Sequence, residues 1–116
     1  MNLSNKKLKH IGSAQTEYVM NFGQAIEALK QGKSVSRNGW NGKGMFIYLN
    51  KGGCSTHLAD DETLDGISGS LFDLTGDGTV TRLPNLNMKS ATGAIVTGWL
   101  ASQTDILSED WGVVEF

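Results

Sequence analysis

The sequence predicts an α+β domain, with a small antiparallel β-sheet of about five or six short strands packed around one main helix. Three observations predict it. Segment 22–31 carries apolar residues at helical spacing. Several later segments are short, rich in β-branched or aromatic residues, and bounded by turn residues. Fifteen glycines stand against one proline, which suits a chain of many tight turns because glycine enters left-handed backbone at little steric cost.

Taken in order, residues 1–19 are polar and lysine-containing, and lack sustained periodicity. They read as a flexible N-terminal arm, or as a short lead-in strand around 17–19. The strong patterns begin at Met20, so 20–116 is expected to form a single domain. Asn21 can cap a helix, and Phe22, Ile26 and Leu29 share one face with Ala25 beside them. Glu27 and Lys30 lie on the wet side, and Gly32 supplies the stop. Segment 34–37 alternates as a strand. Asn38-Gly39-Trp40-Asn41-Gly42 holds two Asn-Gly steps, a strong turn signal, and 45–49 reads as the returning strand. Segment 51–78 holds six of the twelve acidic residues. It reads as a loop or insertion with a brief helical turn, which Leu71, Phe72 and Leu74 could anchor, and the acidic loop is taken as 52–80. Strands are then expected at 79–83, 86–89 and 94–100. A single helical turn follows over 102–109, with Ser102 and Asp105 spaced as a capping pair, and a closing strand spans 110–116.

Composition bounds the chemistry. At 116 residues, 39% hydrophobic and 19% charged, the chain has room for one modest core, and self-association would help to stabilise it. No run approaches the roughly 20 apolar residues of a membrane span, so no membrane partner is expected. Lys6, Lys7 and Lys9 are not followed by an apolar stretch, which argues against a secretory signal. The single Cys54 suits a reducing, cytoplasmic setting and excludes a cysteine-built zinc cage. A net charge of −2 argues against a nucleic-acid polymer as partner. It leaves room for one small anion held by a local basic group or by backbone N–H groups.

Catalytic and metal motifs are weak. Asp73-Leu74-Thr75-Gly76-Asp77-Gly78 imitates the start of a calcium loop, but the twelfth position, which needs a bidentate Glu, is Pro84. A plain Asp-Gly turn explains it. His10 and His57 have no partner at metal-ligand spacing, so no metal or cofactor is expected. No nucleophile elbow or phosphate-cradling loop ending in Lys-Ser or Lys-Thr occurs. Asp105, Glu109 and Asp110 bring carboxylates near one another, which capping and surface charge also explain.

The aromatic residues are more informative. Trp40 sits at a glycine-rich turn beside Arg37, Asn38 and Asn41. Trp99 sits at a strand end, ahead of Ser102, Gln103, Thr104 and Asp105. Facing indoles can hold a flat base, with stacking worth roughly 1–3 kcal/mol, while nearby amides and hydroxyls read sugar and phosphate. The same tryptophans could instead be core or subunit-interface residues. Trp111, in the closing strand, is assigned to the core.

Three stretches carry a resemblance. Residues 21–33, Asn21-Phe22-Gly23-Gln24-Ala25-Ile26-Glu27 onward, look like the opening helix of the second-type Thoeris anti-defence family. Arg37-Asn38-Gly39-Trp40-Asn41-Gly42 resembles its hairpin. Trp99, then Ser102-Gln103-Thr104-Asp105, then Asp110-Trp111, resembles its closing signature, and Leu86-Asn87-Met88-Lys89 with Gly93 fits the segment before it. The match covers about residues 20–115. The resemblance implies a small phage protein of the infected cell's cytoplasm, not an enzyme. It would bind and sequester, without cleaving, a cyclic ADP-ribose isomer made as an immune signal. It also implies a homo-oligomer, commonly a tetramer, with pockets at subunit contacts. In some members cyclic dinucleotides bind at a separate site. Carried over by motif, Phe22, Trp40 and Trp99 would wall the ligand, and Arg37 and Asn38 would face phosphate or ribose. Thr104 and Asp105 would bond the sugars, with Ser102 and Gln103 close by. Phe22 fits the helix core equally well. Two rival readings stand beside this one. One is a hydrolase of nucleotide signals acting through Asp105 and Glu109. The other is a structural phage protein whose tryptophans serve assembly alone.

Overall fold

The computed structural model describes residues 8–11, 14–40, 43–53, 55–57, 62–72, 76 and 78–114. The chain divides into two compact units, Met1–Asn50 with Asn85–Phe116, and Lys51–Pro84. The first unit begins with β1 (Leu8–Ile11), β2 (Ala14–Glu17), α1 (Phe22–Lys30), β3 (Ser34–Arg37) and β4 (Phe46–Asn50). The second holds β5 (Ser55–His57), β6 (Thr63–Leu64), β7 (Ile67–Ser68), a 3-10 turn (Gly69–Leu71) and β8 (Thr79–Thr81). The first unit resumes with β9 (Asn85–Lys89), β10 (Ile95–Thr97), α2 (Gln103–Leu107) and β11 (Trp111–Val114). The fold is α+β, as the sequence predicts.

The first unit is built on a five-stranded antiparallel sheet of order β10-β9-β4-β3-β11. α1 lies on one face. Its start is fixed by Asn21, whose side chain accepts the Gln24 N–H at 2.8 Å while the Gln24 side chain accepts the Asn21 N–H at 2.9 Å. This capping box satisfies two donors that a helix start otherwise leaves open. Gly32 ends the helix in the left-handed region at φ 88°, where a side chain would be strained. Ala25, Ala28 and Leu29 meet Val35, Ile47 and Trp111 to form the core. Val35, Ile47 and Trp111 are fully buried. Burial of each large apolar side chain contributes about 1.5–3 kcal/mol.

Side chains alternate across a strand, so Ser36 and its cross-strand partner Gly112 face away from that core. The chain entering α1 packs there. Tyr18 and Thr16 are buried, and the Ser36 hydroxyl donates to the Tyr18 hydroxyl at 3.5 Å. A Cβ on Gly112 would collide with the Glu17 carbonyl oxygen and stand 2.9 Å from the Thr16 methyl. β2 packs on β11, and β1 pairs antiparallel with β2. Met20 and Trp111 exchange two backbone hydrogen bonds, at 2.9 and 3.0 Å, which fasten this segment to the outer edge of β11.

Two expectations need correction. The strand read over 94–100 stops at Thr97, because Gly98 turns the backbone at φ 76°. The Gly98 N–H donates to buried Asn87 Oδ1 at 3.0 Å, and the Trp99 N–H returns to the Leu86 carbonyl at 2.7 Å. Trp99 therefore sits on a loop, pinned by backbone. In the second unit, β5 pairs with β8 and β6 with β7, where the sequence reads mainly as loop. Leu71 and Phe72 there are exposed, at 72% and 38%, and do not serve as buried anchors. Asn41, Gly42, Cys54, Leu74 and most of the calcium-like stretch (Asp73, Leu74, Thr75 and Asp77) lie outside the described residues, as do the side chains of His10 and His57.

Among the described residues, no helix is long and apolar enough to cross a membrane. No group of three or more His, Cys, Asp or Glu among them is placed to hold a metal ion.

Candidate functional site

The antiparallel register of β3 with β11 sets Arg37 opposite Trp111. That pairing gathers the charged part of the site. Arg37 Nε donates to Asp110 Oδ1 at 2.9 Å, and Arg37 Nη1 donates to Asp105 Oδ1 at 2.8 Å. All three side chains are well covered, at 13–14% exposure. Asp110 Oδ2 also accepts the Gly39 N–H at 2.8 Å, and the Asn38 N–H donates to the Asp110 carbonyl at 3.0 Å. A Cβ on Gly39 would stand 3.0 Å from Arg37 Nη2 and 3.1 Å from Asp110 Oδ2. Glycine at this turn therefore lets cation and carboxylate close.

Asp105 is the junction of the site. It occupies the third position of α2, and Ser102 caps that helix. The Asp105 N–H donates to Ser102 Oγ at 3.0 Å, and the Ser102 N–H donates to Asp105 Oδ2 at 3.3 Å. Oδ1, which holds Arg37, also accepts the Trp40 indole N–H at 3.2 Å. The Asp105 backbone carbonyl accepts the Trp111 indole N–H at 2.9 Å. One residue thus ties the hairpin turn, the second helix and the last strand together.

The electrostatics follow from these contacts. Burial disfavours the charge on Asp105, but hydrogen bonds from Arg37, Trp40 and Ser102 outweigh it and hold the carboxyl below its usual range. Burial likewise opposes the Asp110 charge, and is outweighed by Arg37 and the Gly39 N–H. Burial works against the Arg37 cation too, yet the two carboxylates raise its pKa. All three groups are charged at neutral pH. Their sum is one net negative charge, so Arg37 is internally neutralised.

The aromatic residues form one cluster. Trp111 is fully buried at its centre. Trp40 meets it edge-on at 5.3 Å, Trp99 meets it at 6.5 Å, and Phe22 tilts against it at 5.4 Å. Trp40 and Trp99 touch each other at 6.2 Å, with planes 70° apart. Both are half-buried. Within one chain they therefore do not form two parallel walls around a base. Each can offer only the side of its ring turned away from the cluster.

The structure thus brings Arg37, Trp40, Trp99, Ser102 and Asp105 together, and joins Phe22 to them through Trp111. Asn38 is half-buried beside Asp110, while Gln103 and Thr104 are exposed on the short helix. Two participants are underweighted by the sequence reading. Asp110 looks like surface charge, and Trp111 looks like plain core. The signal for both is the Asp-Trp step facing Arg37 across the β3–β11 register. An open cleft of about 660 Å³ adjoins Arg37 and Asp110, and it is lined as well by Tyr18, Val19, Asn21 and Gln24. None of those four is singled out by motif as lining a cleft.

Comparison with known proteins places this site in a family context. The Thoeris anti-defense 2-like domain profile matches residues 20–114. Thoeris anti-defense 2 of Bacillus phage SP01 is 38% identical over 95 residues, which is 82% of this chain and 94% of that relative.

Proposed function

This chain belongs to the Thoeris anti-defense 2-like family, and from that membership and the geometry of the site we propose that it is a phage anti-defence protein acting against Thoeris. In this reading it binds a cyclic ADP-ribose-type immune signal in the infected cell's cytoplasm and withholds it, uncleaved, from its effector. The ligand-sequestering domain is 20–116, with 52–80 as its variable loop.

The observation that carries the reading is the braced aromatic cluster. Trp40 is held by its own N–H on Asp105, and Trp99 by its backbone on Leu86. Both rings are therefore set before a ligand arrives, which limits the ordering cost of binding. A purine stacks on the outward side of one indole, and Arg37 Nη2, Asn38, Gln103 and Thr104 stand near to meet sugar and phosphate. The opposing wall comes from a second copy. Leu100, Leu107 and Ile106, at 89%, 77% and 44% exposure, put apolar surface beside the cluster, in keeping with a homo-oligomer such as a tetramer. Cyclic dinucleotides remain candidates for a separate site.

The hydrolase reading draws less support. Both Asp105 oxygens are taken by internal donors, and its carboxyl is held below the usual range. Such a group is a poor proton donor or acceptor near neutral pH.

Calorimetry tests the proposal. The full chain should bind a cyclised ADP-ribose tightly and linear ADP-ribose weakly. Equal binding of the two, or none, would overturn it.

A further inference from the structure

The cleft beside Arg37 has a wall that the family domain does not supply. The family match begins at residue 20, yet Tyr18 and Val19 line the cleft. We propose that this lead-in segment is a specificity element, forming part of the wall of a subsite for a ribose of the ligand. The proposal rests on the ligand-sequestering reading and deepens it.

The wall is rigid for stated reasons. Tyr18 is 3% exposed and hydrogen-bonded to Ser36. Met20, two residues on, is fastened to Trp111 by a pair of backbone hydrogen bonds. Val19 lies between these two fixed points. Val19 is 47% exposed and lines the cleft from a backbone held on both sides. Behind the wall, Gly112 permits the close approach of Glu17 that seats the segment.

The cleft's chemistry matches a ligand rich in hydroxyls, because hydrogen-bond donors and the carboxylates of Glu109 and Asp110 line it together. The capping box consumes the side-chain carbonyl oxygens of Asn21 and Gln24. Their NH2 groups are what these two side chains have left to give the cleft. Arg37 supplies a guanidinium edge, because its bonds to Asp105 and Asp110 use Nη1 and Nε. Exposed Glu109, also in the lining, is an acceptor for a vicinal diol. At about 660 Å³ the cleft falls within the usual size of small-molecule sites, roughly 300–1,000 Å³. Donors and carboxylate acceptors in one lining are what the hydroxyls of a ribose require.

Two variants of the full-length protein test this, Val19→Trp and Val19→Ala, titrated calorimetrically with two linkage isomers of cyclised ADP-ribose. Val19→Trp fills the cleft and should weaken binding at least about tenfold, while Val19→Ala widens it and should shift the preference between isomers by about three- to tenfold, the scale of small changes in a shaped pocket. Melting temperatures check the fold, and if Val19→Trp melts early, Val19→Ala decides alone. If wild type binds and neither affinity nor isomer preference changes, the wall is overturned while the sequestering function stands. If wild type binds neither isomer, the function itself fails and the wall fails with it.

Discussion

Replacing Asp105 by Asn keeps the shape of the side chain and removes its charge. Asp105 accepts from Arg37 and Trp40 through one oxygen and from the Ser102 N–H through the other. Asn has one acceptor oxygen, so its NH2 must face either the Ser102 N–H or the Arg37–Trp40 pair, donor against donor. Losing the bond from the Ser102 N–H costs about 1 kcal/mol, while Ser102 still caps the helix. Exchanging a charge-assisted bond to Arg37 for a neutral one costs about 1–2 kcal/mol, and an unmatched donor up to about 1 more. Arg37 keeps Asp110, which limits the loss, so the sum is roughly 2–4 kcal/mol. A domain of this size loses about 4 °C of Tm per kcal/mol, so the variant should melt roughly 8–16 °C below wild type. Differential scanning calorimetry reads this directly. Near-UV circular dichroism should also weaken, because the Trp40 indole N–H loses its carboxylate partner. A melting point within about 2 °C of wild type would refute Asp105 as the junction of the site, since that shift is worth only about half a kcal/mol.

Other outcomes follow from the same contacts. Gly112→Ala should destabilise the first unit by about 1–3 kcal/mol, as overpacking does, because the added methyl meets the Glu17 carbonyl; chemical denaturation measures it. Asp105 and Asp110 have folded pKa values below their ordinary ones, so their stabilisation is present above the ordinary carboxylate pKa of about 4 and fades as pH falls through the lower folded values. Thermal stability should therefore be flat on this account near neutrality and drop below about pH 4, and the drop should be smaller in Asp110→Asn. Trp99→Ala removes a stacking face and should cost roughly 1–3 kcal/mol of ligand binding, read by calorimetry on protein whose fold is checked by far-UV circular dichroism.

Much of the fold was legible in the residues. α1 announced itself through Phe22, Ile26 and Leu29 at helical spacing and through its Asn21 and Gly32 ends. The capping pair Ser102–Asp105 forms as its spacing suggests. Most of the sheet strands are legible because they carry β-branched or aromatic residues between turns; β9, Asn85-Leu86-Asn87-Met88-Lys89, is bounded instead by Pro84 and the turn at Gly93. The strand after Gly93 is shorter than the sequence suggests, because β-branched Ile95, Val96 and Thr97 run on towards Trp99 and Leu100 and only the backbone at Gly98 makes the break. β8 falls within the strand expected at 79–83, whereas β5 to β7 are not foreseen, because strands of two or three residues are too short to show alternation. For the site, spacing brought Trp40, Trp99, Ser102, Asp105 and Arg37 into view. It could not show that Arg37 is divided between two carboxylates, since that depends on the β3–β11 register. Nor could it show that the two indoles meet edge-on, which is set by Trp111 packing behind both.

The central claim is capture without chemistry. It is tested most directly by incubating stoichiometric protein with cyclised ADP-ribose, denaturing the complex by heat, and measuring the mass and retention time of what is released. The account predicts full recovery of the intact cyclic compound after a long incubation. Recovery of ring-opened product, or of ligand that never entered the protein fraction, would contradict it.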